Sequence, residues 1–139
     1  MKNKDYELIE HTADIGIRVR AADLEGLFEK SARAMFDIMA EGGKSPALKK
    51  KVRIEQEADK LDELLVRWLN ELLSLSETKE LIFSGFRIER IEKNILKAEA
   101  EGSDIKDYRI NKEIKAATYH ELKLEQTPSG WQAEVIFDV

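Results

Sequence analysis

The strongest constraint on the fold is a regular apolar stripe within residues 59–79, DKLDELLVRWLNELLSLSETK. Its members recur every three or four positions and are Leu61, Leu64, Leu65, Trp68, Leu69, Leu72 and Leu73. This spacing predicts a helix with one continuous apolar face, and Asp59 is a candidate N-cap. We expect that face to pack in the core, because a chain of 139 residues has few apolar surfaces to leave exposed.

A second helix is predicted by residues 21–39, AADLEGLFEKSARAMFDIM, in which the apolar side chains again follow helical spacing. Asp23 is its candidate N-cap. The segment EGGKSP that follows contains paired glycines and a proline, which cannot continue a helix. We therefore expect the chain to leave the helix there.

The other periodic segments alternate as strands do. They are YELIEH and IGIRVR (one strand or two), KKKVRIEQEA, LIFSGFRIERI, ILKAEAEG, EIKAATYHELKLE and WQAEVIFDV. Hairpins are predicted at Asn94 and at QTPSG, whereas GSDIKDYRINK is predicted to be a polar loop. The fold class is therefore α+β, with two helices packed on a mixed, largely antiparallel β-sheet.

Composition excludes several kinds of site. The formal net charge of -5 argues against a broad cationic surface for nucleic acid. The absence of cysteine excludes disulfides, thiolate zinc sites and a cysteine nucleophile, so a metal would need oxygen ligands or one of two histidines. No apolar segment suits a membrane span or a signal peptide, which favours a cytoplasmic protein.

Two aspartates lie at the ends of predicted strands. Asp14 precedes the strand that contains Gly16, and Asp138 lies on the polar face of the last strand, next to Val139. The carboxylate of Asp138 and the terminal carboxylate at Val139 are expected to repel unless a cation neutralises them, and hard cations take carboxylate and backbone oxygens together. Asp14 is a candidate oxygen ligand at a bend between strands. The alternatives are a turn-capping role for Asp14 and a frayed polar terminus at Asp138.

Other candidate residues have a structural and a functional interpretation. His11 is either a ligand or base, or a hydrogen-bonded structural histidine. In EIKAATYHEL, alternation places His120 among apolar neighbours, as a core histidine. Lys115 and Tyr119 fall on the opposite face, where they either bind an anion or a partner, or are simply solvated.

Four segments in the same order resemble the archease family over nearly the full chain. They are EHTADIGIRVRAADLEGLFEKSARAMFDIM, LLVRWLNELLSL, EIKAATYHEL and the closing VIFDV. The resemblance implies a single archease domain over residues 1–139, a small cytoplasmic protein that is not itself an enzyme. Its partner would be the tRNA-splicing RNA ligase, with tRNA engaged only indirectly and no membrane. It would promote guanylylation of the ligase histidine, allow repeated turnover and broaden the use of nucleotides.

The resemblance also implies a divalent metal site, usually calcium, held by Asp14, Asp138 and Val139. Pairing of the first and last strands would bring these residues together. Three donors are too few for calcium, which takes roughly six to eight oxygens, so water or a group of the ligase or its nucleotide would complete the shell. Many family members have a histidine where this chain has Tyr108.

Two other function classes remain open from the sequence. A general protein-binding chaperone or modulator of RNA-processing proteins would need neither Asp14 nor Asp138. A metal-dependent hydrolase would use the two carboxylates to activate water, with His11 as the nearest candidate base.

Overall fold

The computed structural model describes residues 6–10, 14–42 and 49–139, and within them the chain forms two helices and ten strands. The helices are α1 (Leu24–Met39) and α2 (Leu61–Lys79). The strands are β1 (Tyr6–Glu10), β2 (Ile15–Ala21), β3 (Ala40–Gly42), β4 (Lys50–Glu57), β5 (Leu81–Glu92), β6 (Ile95–Asp104), β7 (Tyr108–Ile110), β8 (Ala116–Ala117), β9 (Lys123–Thr127) and β10 (Gly130–Asp138).

The strands form three sheets. In the largest, β2 lies between β1 and β10, and both β8 and β9 pair with the other side of β10. The second sheet has the order β4-β6-β5, and the third consists of β3 and β7. All pairings between the described strands are antiparallel. The predicted α+β class is confirmed, although the strands are divided among three sheets.

One apolar core joins both helices to the two larger sheets. Helix α1 contacts β2 and β5, and α2 contacts β4, β5 and β8. Trp68 of α2 is completely buried, and its indole N–H donates to the carbonyl oxygen of Phe28 in α1 at 3.0 Å. The apolar stripe of α2 therefore packs inside the domain, as its spacing predicts.

The two helix starts differ in how they are capped. The side chain of Asp23 accepts a hydrogen bond from the backbone of Gly26 at 2.7 Å, which confirms it as the N-cap of α1. The predicted cap of α2 by Asp59 is wrong, because Lys60 occupies the N-cap position without a side-chain cap. Asp59 is one residue too early, and its carbonyl oxygen instead accepts from the side-chain amide of Asn94 at 2.8 Å.

The predicted hairpins are confirmed. Lys93 and Asn94 join β5 to β6 and have φ angles of 53° and 59°, as the two central residues of a type I′ turn require. Strands β9 and β10 pair from Thr127 and Gly130 onward around Pro128 and Ser129. Helix α1 ends at Met39, before the paired glycines, and residues 43–46 of the EGGKSP segment lie outside the described residues.

Two segments differ from the prediction. GSDIKDYRINK is not a simple loop, since β6 extends to Asp104, a 3-10 turn covers Ile105–Asp107 and β7 then pairs with β3. A strand of three residues is too short for alternation to be visible in the sequence. EIKAATYHELKLE forms two short strands, β8 and β9, with a turn between them.

Candidate functional site

Pairing of β2 with β10 aligns the two candidate aspartates. Ile15 lies opposite Phe137 in this antiparallel ladder, so continuing the register by one residue aligns Asp14 with Asp138. Phe137 is in the core, and side chains alternate along a strand. Both aspartates therefore belong to the outer face of the sheet, the face away from the helices. The strand that carries this pairing is β2, because the N-terminal segment forms two strands.

Acidic side chains on the same outer face are neutralised by cations in the row of paired residues that contains Arg18 and Glu134, two rows from the aspartates. Arg18 of β2 forms ion pairs with Glu7 of β1 at 3.0 Å and with Glu134 of β10 at 3.3 Å, and Lys123 lies 3.7 Å from Glu134. The hydrogen bond from Arg18 to Glu134 is the main cause of the raised pKa of this arginine. Acidic groups in this row are therefore matched by cations of the protein itself.

The two aspartates differ from this row in the part of the chain that the structure describes. Within residues 6–10, 14–42 and 49–139, neither Asp14 nor Asp138 has an ion pair with a lysine or arginine. Asp138 is exposed and Asp14 is half-buried. The side chain of Val139 packs against the core, which holds the backbone beyond β10 close to the sheet.

These residues offer the donors that a hard cation prefers. Carboxylate and backbone oxygens suit Ca²⁺ or Mg²⁺, and no lysine or arginine of the described residues neutralises the two aspartates. In the described part of the chain, however, no three histidine, aspartate or glutamate side chains come together as a metal site. A cation at Asp14, Asp138 and Val139 would therefore depend on further ligands from solvent or a partner.

Strand β8 flanks Asp138 on the side opposite β2. Ala116 lies opposite Asp138 in the ladder, and the backbone N–H of Lys115 donates to the carbonyl oxygen of Asp138 at 2.8 Å. Lys115 itself is exposed. The backbone of Asp138 is thus bonded on the β8 side, and strand alternation places its side chain on the outer face.

A five-residue turn over 118–122 interrupts the predicted strand EIKAATYHELKLE. Ala117 lies opposite Phe137, and Leu124 lies opposite Ala133. The chain therefore advances seven residues from Ala117 to Leu124 while β10 advances only four, from Ala133 to Phe137. The extra residues are accommodated where Thr118 donates both its N–H (2.9 Å) and its hydroxyl (2.8 Å) to Ile136. The φ angle of Glu121 is +50°, which completes the turn.

This turn corrects the interpretation of His120. His120 is exposed within it and is not a core histidine, because the extra residues take it out of the strand alternation. Tyr119, next to it, is 56% exposed. Lys115 and Tyr119 are therefore both accessible near the edge of the sheet that carries Asp138.

Two further candidates have different outcomes. His11 lies outside the described residues, together with Thr12 and Ala13. Tyr108 lies in β7 opposite Gly42, is half-buried, and its hydroxyl accepts from Ser103 at 3.3 Å. Its position is in the smallest sheet, so it is not part of the ladder that aligns Asp14 with Asp138.

Asn70 is a residue near the site that the sequence did not single out. It lies in α2 and bonds the backbone of Ala117 in β8. It also lines a groove of about 820 Å³ between α2 and residues 110–116, whose wall includes Lys115 and Ala116. The only signal in the sequence is a polar residue beside the apolar stripe, which an ordinary exposed helix position would also produce.

Comparison with known proteins adds the family. The model of the Archease protein family (MTH1598/TM1083) matches residues 6–139. The chain belongs to the archease family. Protein archease of Methanosarcina acetivorans is 39% identical over 145 residues, covering 99% of this chain and 98% of that protein. Protein archease of Pyrococcus abyssi is 41% identical over 143 residues, covering 98% and 99%.

Solved archease structures share the fold. The solution structure of Methanobacterium thermoautotrophicum protein 1598 matches with a TM-score of 0.78 at 29% identity, covering 99% of this chain and all of that one. The Thermotoga maritima crystal structure, described as an archease and possible chaperone, matches with a TM-score of 0.61 at 26% identity, covering 94% of each chain. In this archease no helix of the described residues is both long and apolar enough to cross a membrane.

Proposed function

We propose that this archease is a non-catalytic, cytoplasmic activator of a tRNA-splicing RNA ligase. It promotes guanylylation of the ligase histidine, supports multiple turnover and broadens the use of nucleotides. The observation that supports this proposal is the β2–β10 ladder, which ends with Ile15 opposite Phe137, the neighbours of Asp14 and Asp138. Neither aspartate has a lysine or arginine partner among the described residues. Two carboxylates at neighbouring strand ends, without a lysine or arginine partner among the described residues, favour a site that is completed by a cation and a partner.

The ligands of that cation would be Asp14, Asp138 and an oxygen of Val139, and calcium is the ion we propose. A bound divalent cation would supply positive charge beside the nucleotide triphosphate when the ligase histidine attacks. The role of this chain is to hold its carboxylates at an exposed edge with coordination positions left for the partner complex. Pairing with Ala116 of β8 and the hydrogen bond from the Lys115 N–H restrain the backbone of Asp138, which favours a fixed orientation.

Lys115 and Tyr119 extend the same edge into a surface for the ligase. A lysine suits phosphate groups of a nucleotide, and an exposed tyrosine combines an apolar ring with a hydroxyl, as residues at the centre of protein interfaces often do. Contact with tRNA would be indirect, in keeping with the net charge of -5.

A second candidate function is that of a chaperone or modulator of RNA-processing proteins. It is favoured by the description of the Thermotoga maritima structure as a possible chaperone. This function would use the exposed edges of the fold and would be independent of both aspartates.

A multiple-turnover ligation assay with the cognate ligase and GTP tests these proposals. Wild type is compared with Asp14→Asn and Asp138→Asn, which remove charge at nearly constant size, and with Asp107→Asn as a control at an exposed aspartate in the 3-10 turn. We expect stimulation by wild type and Asp107→Asn only. Equal stimulation by all four proteins would overturn the metal mechanism, and no stimulation by wild type would overturn the activator role in favour of the chaperone.

A further inference from the structure

The side chain of Asn70 makes the backbone hydrogen bonds that a neighbouring strand would make. Its Nδ2 donates to the carbonyl oxygen of Ala117 at 3.1 Å, and its Oδ1 accepts from the N–H of the same residue at 2.8 Å. Both polar groups of the Ala117 backbone are thus bonded to helix α2. An amide side chain is suited to this contact because it presents a donor and an acceptor together.

Strand β8 depends on this contact because it is only two residues long. On one side it pairs with β10, and on the other its backbone is bonded to Asn70. A two-residue strand with one unbonded edge would be free to shift or fray. Asn70 therefore fixes β8 to the rigid, core-packed helix α2.

The same short strand reaches the candidate site. Ala116, next to Ala117, lies opposite Asp138, and the N–H of Lys115 bonds the Asp138 carbonyl oxygen at 2.8 Å. A chain of contacts thus leads from Asn70 through β8 to the backbone of Asp138. Any displacement of β8 would change the support of the Asp138 backbone, from which the carboxylate extends.

We propose that Asn70 is a positioning residue for the site, setting β8 against β10 and so orienting Asp138 and Lys115. The consequence for cation binding and ligase stimulation rests on the function proposed above, whereas the structural step does not. Asn70 would act without touching the cation, the nucleotide or the ligase histidine.

The test uses two variants and a matched control in the full chain. Asn70→Ala removes both hydrogen bonds. Asn70→Asp keeps the shape but cannot donate to the Ala117 carbonyl oxygen, so a carboxylate oxygen faces it. The control is Ser76→Ala, which removes another hydrogen bond between a side chain of α2 and the backbone, from Ser76 to Leu81 of β5.

Amide hydrogen exchange, measured by NMR without added metal, tests the structural step. We expect the Lys115 amide to exchange at least tenfold faster in both Asn70 variants, relative to amides of β5 and β6, and to be unchanged in Ser76→Ala. Unchanged protection of Lys115 in a folded Asn70 variant would overturn the proposal, whatever the protein binds.

Calorimetric titration with Ca²⁺ and the ligation assay test the consequence. We expect at least tenfold weaker Ca²⁺ binding and reduced stimulation for Asn70→Asp, with values near wild type for Ser76→Ala. If Asn70→Asp binds Ca²⁺ and stimulates the ligase as well as Ser76→Ala does, Asn70 has only a structural role and its proposed positioning role is overturned. A third outcome separates the two proposals: the wild type binds no Ca²⁺, yet the Lys115 amide exchanges faster in the Asn70 variants. That result would refute the metal site but would support the role of Asn70 in holding β8 in place.

Discussion

The side chain of Ile136 lies across Gly16 on the outer face of the β1-β2-β10 sheet. A Cβ atom added to Gly16 would stand 2.7 Å from Cδ1 of Ile136, 3.2 Å from Cβ of Ile9 and 3.2 Å from the carbonyl oxygen of Val135. Ile136 is itself buried, with 3% of its surface exposed. The missing side chain at position 16 therefore allows β2 and β10 to pack closely one row from the aspartate pair.

Substituting Gly16 is expected to force these strands apart. Gly16→Ala should lower the free energy of unfolding by about 1–3 kcal/mol, the usual cost of overpacking a tightly filled site. Urea denaturation followed by circular dichroism measures this loss. Gly85→Ala is the control, because its added Cβ would meet nothing closer than 3.6 Å. Equal stabilities of the two variants would refute the packing argument.

Replacing Trp68 should weaken the packing between the two helices and lower the stability of the fold. Trp68→Phe deletes the indole N–H, leaves the Phe28 carbonyl oxygen without its 3.0 Å donor and opens a small cavity in the core. The two effects together predict a loss of about 2–4 kcal/mol in a denaturant titration. Trp131→Phe, at a half-buried position in β10, should cost clearly less. A loss for Trp68→Phe no larger than for Trp131→Phe would contradict the prediction.

The ion pair between Arg53 and Glu89 makes a small part of stability dependent on pH. The guanidinium donates to the carboxylate at 2.9 Å, and this hydrogen bond is the main reason why the pKa of Glu89 is lowered. A lowered pKa in the folded state stabilises the protein above the unfolded pKa, and this contribution is lost as pH falls through the folded pKa.

Arg53→Gln should therefore raise the pKa of Glu89 toward its ordinary value. NMR titration of the Glu89 carboxyl carbon measures this pKa in both proteins. In the wild type, added salt should bring the pKa of Glu89 closer to its ordinary value, because the ion pair is exposed and therefore screened. Arg20→Gln, which removes an ion pair with Glu7 in the other large sheet, serves as control. If Glu89 titrates alike in wild type and Arg53→Gln, the assigned cause of the lowered pKa is incorrect.

Tyr119 provides a test of the partner surface. If the ligase docks over this edge, Tyr119→Ala should raise the archease concentration needed for half-maximal stimulation at least tenfold, as loss of an aromatic anchor does. Leu8→Ala is the control, since Leu8 in β1 is 50% exposed and Tyr119 is 56% exposed. Equal effects of the two substitutions would place the docking surface elsewhere. Thermal unfolding of both variants checks that the fold is unchanged.

The sequence predicted best what local interactions determine. The α1 cap at Asp23 and the turn at Asn94 depend on residues a few positions apart, and both are confirmed. The turn after Thr118 is not predicted, because it depends on a long-range contact. The hydroxyl of Thr118 donates to the carbonyl oxygen of Ile136, which lies 18 positions further along the chain. The pairing of β3 with β7 is also not predicted, because each strand has only three residues and is too short to show alternation.

The candidate site shows the same division between local and long-range information. Asp14 and Asp138 stand out as carboxylates at strand ends, but only the ladder aligns them, because their neighbours Ile15 and Phe137 pair across 122 positions of the chain. Asn70 had no distinguishing signal, since its role depends on β8 lying beside α2.

The pairing of β2 with β10 also has a consequence during synthesis on the ribosome. Until residues 131–137 have emerged, one edge of β2 has no partner, and Ile17 and Val19 lack the neighbours Val135 and Ala133 that later lie opposite them. An unpaired edge beside an incomplete apolar layer is a site for aggregation. A nascent chain of this archease is therefore expected to be most prone to aggregation before β10 has emerged, while the largest sheet is still open.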